Sequence, residues 1–267
     1  MGRKRRRKSS AKRRRDMRKS IYVLPNLLTT MGLFCGFLAM VLSMQKEFRY
    51  AAIAILVALI FDFLDGKVAR ATGATSRFGV EYDSLSDLVA FGVSPAILAY
   101  LWGLQSFGRL GWIAAFLYVA CGALRLARFN VQTEKVGGKH FVGLPIPAAA
   151  SMVCSVVLLF DELGYPGPVT HWSLVALVIV LAFLMVSPLP YLSFKEIGIT
   201  RLKSFNWLVA GLLLITLIAI RPQIMGFVCF GFYVLVLGPV GAQVMARRRK
   251  AAEALQAGEE NQGTSSA

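Results

Sequence analysis

FDFLDGKVARATGATSRFGVEYDSLSDLVAFG, residues 61–92, sets Asp62, Asp65, Asp83 and Asp87 in or beside apolar stretches long enough to cross a membrane; they are four of the chain's six aspartates. A carboxylate inside a spanning helix costs at least ~2.5 kcal/mol even on lenient insertion scales, so four of them within 26 residues call for a compensating partner. Asp62 and Asp65 are three apart and Asp83 and Asp87 four apart, which puts each pair on one face of a helix. Between the pairs, Gly73-Ala74-Thr75-Ser76 reads as a turn that lets two antiparallel helices bring the four carboxylates together. Two compensations are open. One is salt bridging to Lys67, Arg70 or Arg77. The other is a divalent cation, for which an all-oxygen ligand set suits Mg²⁺, Mn²⁺ or Ca²⁺, whereas zinc recruits Cys or His.

The rest of the chain supplies the membrane. Its 267 residues are 56% hydrophobic, with a mean hydropathy of +0.60, values of an all-α polytopic membrane protein rather than a soluble enzyme. Apolar windows at 21–44, 50–66, 84–103, 110–124, 146–160, 171–190, 205–220 and 223–245 predict about eight transmembrane helices. With the N-terminus inside, 26 of the 30 Lys and Arg residues fall in cytoplasmic segments, and only Lys46, Arg49, Arg109 and Arg221 fall outside. That asymmetry predicts both termini and the aspartates on the cytoplasmic face of the plasma (inner) membrane.

Four regions follow: a basic tail at 1–20, a transmembrane core at 21–190, a cytoplasmic loop with two further spans at 191–246, and a polar tail at 247–267. The first tail, MGRKRRRKSSAKRRRDMRKS, is too charged to pack and is expected to be disordered. Such a run also suits nucleic acid, but directly before a spanning helix it reads as a topology signal that contacts anionic lipid headgroups, with no nucleic-acid partner. Cys35, Cys121, Cys154 and Cys229 each stand alone in a different apolar window, as packing residues. Two histidines, and no G-x-S-x-G, P-loop or G-x-G-x-x-G, leave no nucleophile system or nucleotide loop of a soluble enzyme. Arg70 and Arg77 beside the carboxylates, with the small residues Gly66, Ala69, Gly73 and Gly79 around them, instead have the makings of a phosphate site.

Asp62-x2-Asp65-Gly66-x2-Ala69-Arg70-x8-Gly79-x3-Asp83-x3-Asp87 resembles the full signature of the CDP-alcohol phosphotransferase family, with all eight specified positions filled at the family spacing. These are integral membrane enzymes that split a CDP pyrophosphate and join a phosphatidyl or related group to an alcohol. Within the family the chain is most similar to the branch of bacterial membrane-spanning phosphatidylserine synthases. The similarity rests on Leu24-Pro25-Asn26-Leu27-Leu28-Thr29, on Arg125-Leu126-Ala127-Arg128-Phe129-Asn130 and on Phe141-Val142-Gly143-Leu144-Pro145-Ile146-Pro147, and covers roughly 21–195. No H-x-K-x4-D element of the unrelated phospholipase-D-like synthases occurs.

The resemblance implies a fold with the family's helical core and the substrates CDP-diacylglycerol and L-serine, giving phosphatidylserine and CMP. It implies that Asp62, Asp65 and Asp83 bind two divalent ions, with Asp87 completing the centre and also serving as base. Gly66, Ala69, Arg70, Ser76 and Gly79 match positions at the CDP-lipid, and Asn26 and Thr29 match first-helix positions near its phosphates or cytidine. Arg125, Arg128 and Lys195 are candidates for the serine carboxylate, against the plainer reading of interface anchors. Gly32 and Gly36 form a G-x-x-x-G pair, read as close helix packing or as a homodimer contact. The rivals are a synthase of the same family for glycerol 3-phosphate or inositol, and a cation transporter using the aspartates as an ion path.

Overall fold

The computed structural model describes residues 2–73, 76–136, 143–165, 167–188 and 222–234, and every regular element among them is helical. The elements are α1 (Gly2–Met44), α2 (Phe48–Thr72), α3 (Arg77–Asp87), a π-helical segment (Leu88–Val93), α4 (Ser94–Trp102), a 3₁₀ turn (Leu104–Phe107), α5 (Arg109–Val136), α6 (Ile146–Glu162), α7 (Trp172–Val186) and α8 (Pro222–Phe232). Among the described residues three stretches are long and apolar enough to cross a membrane: Val23–Met44, Arg77–Trp102 and Arg109–Gln132. They contain the first, third and fourth expected windows, apart from small overruns at the ends of the first and third. α6 and α7, with 17 and 15 residues, fall short of the ~20 that a straight crossing needs. The 205–220 window, and the second half of the one that begins at 223, lie outside the described residues.

α1 begins at Gly2, so its backbone runs on from the basic segment into the first membrane helix. Lys and Arg are good helix formers, and extending a helix that is already nucleated adds a hydrogen bond per residue without a new nucleation cost.

The outward surface is that of a protein whose solvent is lipid. Phe34, Phe37, Ile60, Phe63, Phe116 and Phe183 are 56–65% exposed. A soluble chain rarely presents so much apolar area. Three buried serines satisfy themselves within their own helices, as suits a hydrocarbon setting: Ser43 donates to Ala39 O, Ser151 to Pro147 O (both 2.7 Å) and Ser155 to Met152 O (2.9 Å). At the end of the bundle away from the aspartates, Arg49 pairs with Asp161 at 3.2 Å, so one of the four basic residues that break the charge asymmetry is neutralised by the chain itself.

α6 is the centre of the bundle. Every residue from Ala149 to Leu158 is buried, against α2, α4, α7, α8 and the π-helical segment. Its small residues, which lower its hydropathy, are what let five neighbours approach it. α1 packs along α2 through a similar face of Ala39, Ala51, Ala52 and Ala58, all of them fully buried.

Gly36 decides how α1 meets the π-helical segment. A Cβ there would lie 2.6 Å from Ala90 Cα, a backbone atom that cannot step aside. Gly32 likewise faces Ala58 and Phe61 of α2 at 3.7 Å, so the G-x-x-x-G pair is used for packing inside the chain. Gly36→Val is expected to destabilise the protein by about 1–3 kcal/mol through overpacking, read as a lower unfolding midpoint in detergent. An unchanged midpoint would mean that α1 and the π-helical segment are not in contact.

Candidate metal centre

Two reversals build the site. α2 stops where Gly73 takes a left-handed conformation (φ 63°) and returns its N–H to Ala69 O and Arg70 O. Ser76, extended at φ −122° and ψ 151°, then caps α3 by accepting the Gly79 N–H at 2.9 Å. The expected turn is therefore present at both of its described ends, and α3 runs back beside α1 with its carboxylates facing Asp62 of α2.

Oxygens of Asp62, Asp83 and Asp87 converge within 4.8 Å of one another. Asp65 is buried beside them and lines the same cavity, yet stands outside that group of three. It is held by Thr29, whose Oγ1 donates to its Oδ2 at 2.7 Å, a shorter and charge-assisted alternative to the Pro25 carbonyl at 3.1 Å. Thr29, expected near the phosphates or cytidine, thus orients a carboxylate. The cavity between α1, α2 and α3 is about 10 Å³, space on the order of one water or one small ion.

The salt-bridge alternative does not appear at these carboxylates. Lys67 lies with its Nζ 4.5 Å above the Phe63 ring, and the Arg70 guanidinium packs over Gly66, 3.4 Å from where a Cβ would stand. Asp62, Asp83 and Asp87 form no ion pair with a described residue. Three converging carboxylates without an ion-pair partner among the described residues, around a space of ionic size and with only oxygen donors, fit a hard divalent cation.

The remaining candidates separate. Gly79 lets the first helix close in: a Cβ there would be 3.1 Å from Ser76 Oγ and 3.4 Å from Asn26 Oδ1, so Asn26, Ser76 and Gly79 meet at the start of α3. Ala69 and Arg70 lie on the last turns of α2. Arg125 reaches from α5 into the electrostatic range of Asp87 and Tyr233. Its Nε is buried without a hydrogen-bond partner. Arg128 points elsewhere, contacting Val186 O at 3.5 Å at the C-terminal end of α7, where a cation suits the helix dipole. Lys195 lies outside the described residues.

Sequence reasoning missed the bonds that hold α3 in place. Tyr82 and Thr30 share a hydrogen bond of 2.9 Å, and Asn130 Nδ2 donates to Ser84 Oγ at 3.1 Å, tying α3 to α1 and to α5. It also missed the π-helical segment directly after Asp87. Pro95 has no N–H to return to the preceding turn, and the Phe91 carbonyl in that turn accepts from Tyr118 Oη at 3.2 Å. Ser94 Oγ shares its one proton between Val89 O (2.8 Å) and Gly36 O (2.7 Å). Pro95 was the available signal, since a proline inside an apolar window marks a broken ladder.

Comparison with known proteins covers the same region. Residues 22–187 match the family described as CDP-alcohol phosphatidyltransferase. Over 215 residues the chain is 38% identical to the CDP-diacylglycerol–serine O-phosphatidyltransferase of Helicobacter pylori, spanning 80% of this chain and 89% of that one. An enzyme of the same name from Bacillus subtilis is 35% identical over 190 residues, 69% of this chain and 98% of its own. The archaetidylserine synthase of Methanothermobacter thermautotrophicus is 41% identical over 174 residues, 64% of this chain and 70% of its own.

Proposed function

The chain belongs to the CDP-alcohol phosphatidyltransferase family, and from that premise we propose that it transfers the phosphatidyl group of CDP-diacylglycerol to the hydroxyl of L-serine, giving phosphatidylserine and CMP. The observation that carries the reaction is the convergence of Asp62, Asp83 and Asp87 within 4.8 Å at one end of a lipid-facing bundle. Serine as the acceptor rests on the relatives, which are named for it in Helicobacter pylori and Bacillus subtilis.

Asp62, Asp83 and Asp87, with Asp65 beside them, would hold one or two divalent cations, Mg²⁺ or Mn²⁺ before Ca²⁺. Ions held there would supply the positive charge that displacement at a pyrophosphate phosphorus calls for. The protein's own residues do the rest. Asn26, Ser76 and Gly79 shape the entry for the CDP head, and Arg70 faces its phosphates from the end of α2. Asp87 takes the proton of the serine hydroxyl as that oxygen bonds to the phosphatidyl phosphorus; the phosphorus–oxygen bond to CMP breaks, and CMP leaves with the electron pair. Arg125, with its Nε unpartnered next to Asp87, suits the serine carboxylate better than Arg128, which is engaged at Val186. The cavity closes against Ala90 and Phe91, 2% and 0% exposed, an apolar wall where a transporter would need a path.

The decisive experiment is to incubate membranes with CDP-diacylglycerol, a divalent cation and serine, glycerol 3-phosphate or inositol in turn, and to identify the lipid made. Phosphatidylserine formed with serine alone is the expected product. A product with another alcohol and none with serine reassigns the acceptor.

In the same reading the chain crosses the plasma membrane eight times, with the centre and both termini cytoplasmic, supported by the 26 of 30 basic residues on that side. Ala71 and Tyr165, both exposed, serve as labelling sites on the two expected faces. In a chain without its four native cysteines, Ala71→Cys is expected to react with an impermeant thiol reagent only after the cytoplasmic face is opened, and Tyr165→Cys from outside intact cells. Outside labelling of Ala71→Cys would invert the topology.

A further inference from the structure

Among the described residues two buried side-chain polar atoms lack a hydrogen-bond partner, Ser86 Oγ and Arg125 Nε, and both belong to residues that flank Asp87. Buried polar groups are almost always paired, and the other buried serines, Ser43, Ser94, Ser151 and Ser155, all donate to carbonyls. Ser86 has the Tyr82 carbonyl one turn back and does not use it. It is 4% exposed and lines the cavity with Asp62, Asp83 and Asp87. A hydroxyl kept out of every protein hydrogen bond, in a space on the order of one water across, is poised for an oxygen that arrives with a ligand.

The nature of that oxygen follows from the ligand count. Three carboxylates offering one oxygen each leave a six-coordinate Mg²⁺ or Mn²⁺ incomplete, and such ions keep several waters. Ionised carboxylates only accept hydrogen bonds, whereas Ser86 can both donate and accept. We propose that Ser86 is a positioning residue of the metal centre, whose hydroxyl holds by hydrogen bond a water completing the coordination shell of a divalent cation between Asp62, Asp83 and Asp87. This rests on the metal reading above and adds a residue that the aspartate signature leaves unspecified, between its last two carboxylates.

The test is a Mn²⁺ titration of the purified full-length chain in detergent, followed by the electron paramagnetic resonance signal of free Mn²⁺, with thermal unfolding of each variant in excess chelator. Ser86→Ala is expected to weaken Mn²⁺ binding by roughly 10–100-fold, the range for partners of metal ligands. Its unfolding midpoint in chelator should stay the same or rise, because the hydroxyl removed has no partner in the metal-free protein. Asp62→Asn serves as the reference and should bind far less Mn²⁺ than either. Affinity of Ser86→Ala within twofold of the parent, with Asp62→Asn deficient, overturns the role of Ser86 and leaves the metal centre standing. A lower midpoint in chelator that accompanies the weaker binding assigns Ser86 to packing and overturns it as well. Equal Mn²⁺ binding by the parent and Asp62→Asn removes the metal reading itself, and Ser86 with it.

Discussion

Asp87→Asn is expected to lower kcat by roughly 10²–10⁴-fold, the usual loss for a general base, while the affinity for CDP-diacylglycerol changes by only a few-fold. The asymmetry follows from position. Asp87 ends α3, within 4.8 Å of the Asp62 and Asp83 oxygens and in electrostatic reach of Arg125. It therefore has influence both on the carboxylates that would grip the pyrophosphate and on the arginine that would receive serine. Asn keeps the shape and one oxygen but cannot accept a proton. Turnover and lipid affinity measured across a Mn²⁺ titration separate its two duties: near-normal turnover would eliminate Asp87 as the base, and complete rescue by high metal would make it a ligand only.

Loss of the metal should be as severe. Chelation is expected to abolish activity and Mg²⁺ or Mn²⁺ to restore it, while Asp62→Asn or Asp83→Asn should insert normally and retain less than about 1% of activity, since the ions supply the charge stabilisation on both oxygens of the displacement. Normal insertion is expected because neutral Asn is cheaper in the membrane than an anion and because neither carboxylate has an ion-pair partner among the described residues to orphan. Full activity in excess chelator would end the metal reading. Asp65→Asn offers a contrast within the cluster: its carboxylate is tied to Thr29 at 2.7 Å and stands outside the group of three, so it should retain more Mn²⁺ affinity than Asp62→Asn.

The aspartate pairs, their helical spacing and the turn at 73–76 were legible because each depends on neighbours a few residues away. A glycine that ends one helix and a serine that caps the next act locally, and the cost of a carboxylate in a membrane is a property of the residue itself. Membrane residence was legible for the same reason, since hydropathy sums over single residues. The family followed from eight residues in one 26-residue stretch, all of it between Asp62 and Asp87.

What only the tertiary structure decided are relations between residues far apart in the chain. Thr29 and Asp65 are 36 positions apart, and Asn130 and Ser84 46. No periodicity reports that Thr29 faces a carboxylate, that Arg125 turns toward Asp87 while Arg128 turns to α7, or that Ser86 is left without a partner. α6 shows the same limit from the packing side: its small residues weaken a hydropathy signal that measures contact with lipid, yet they are what place it at the centre, where its neighbours are protein. The residues name their own chemistry; which three oxygens come within 4.8 Å, and which hydroxyl faces the space between them, depends on how α1, α2, α3 and α5 pack together.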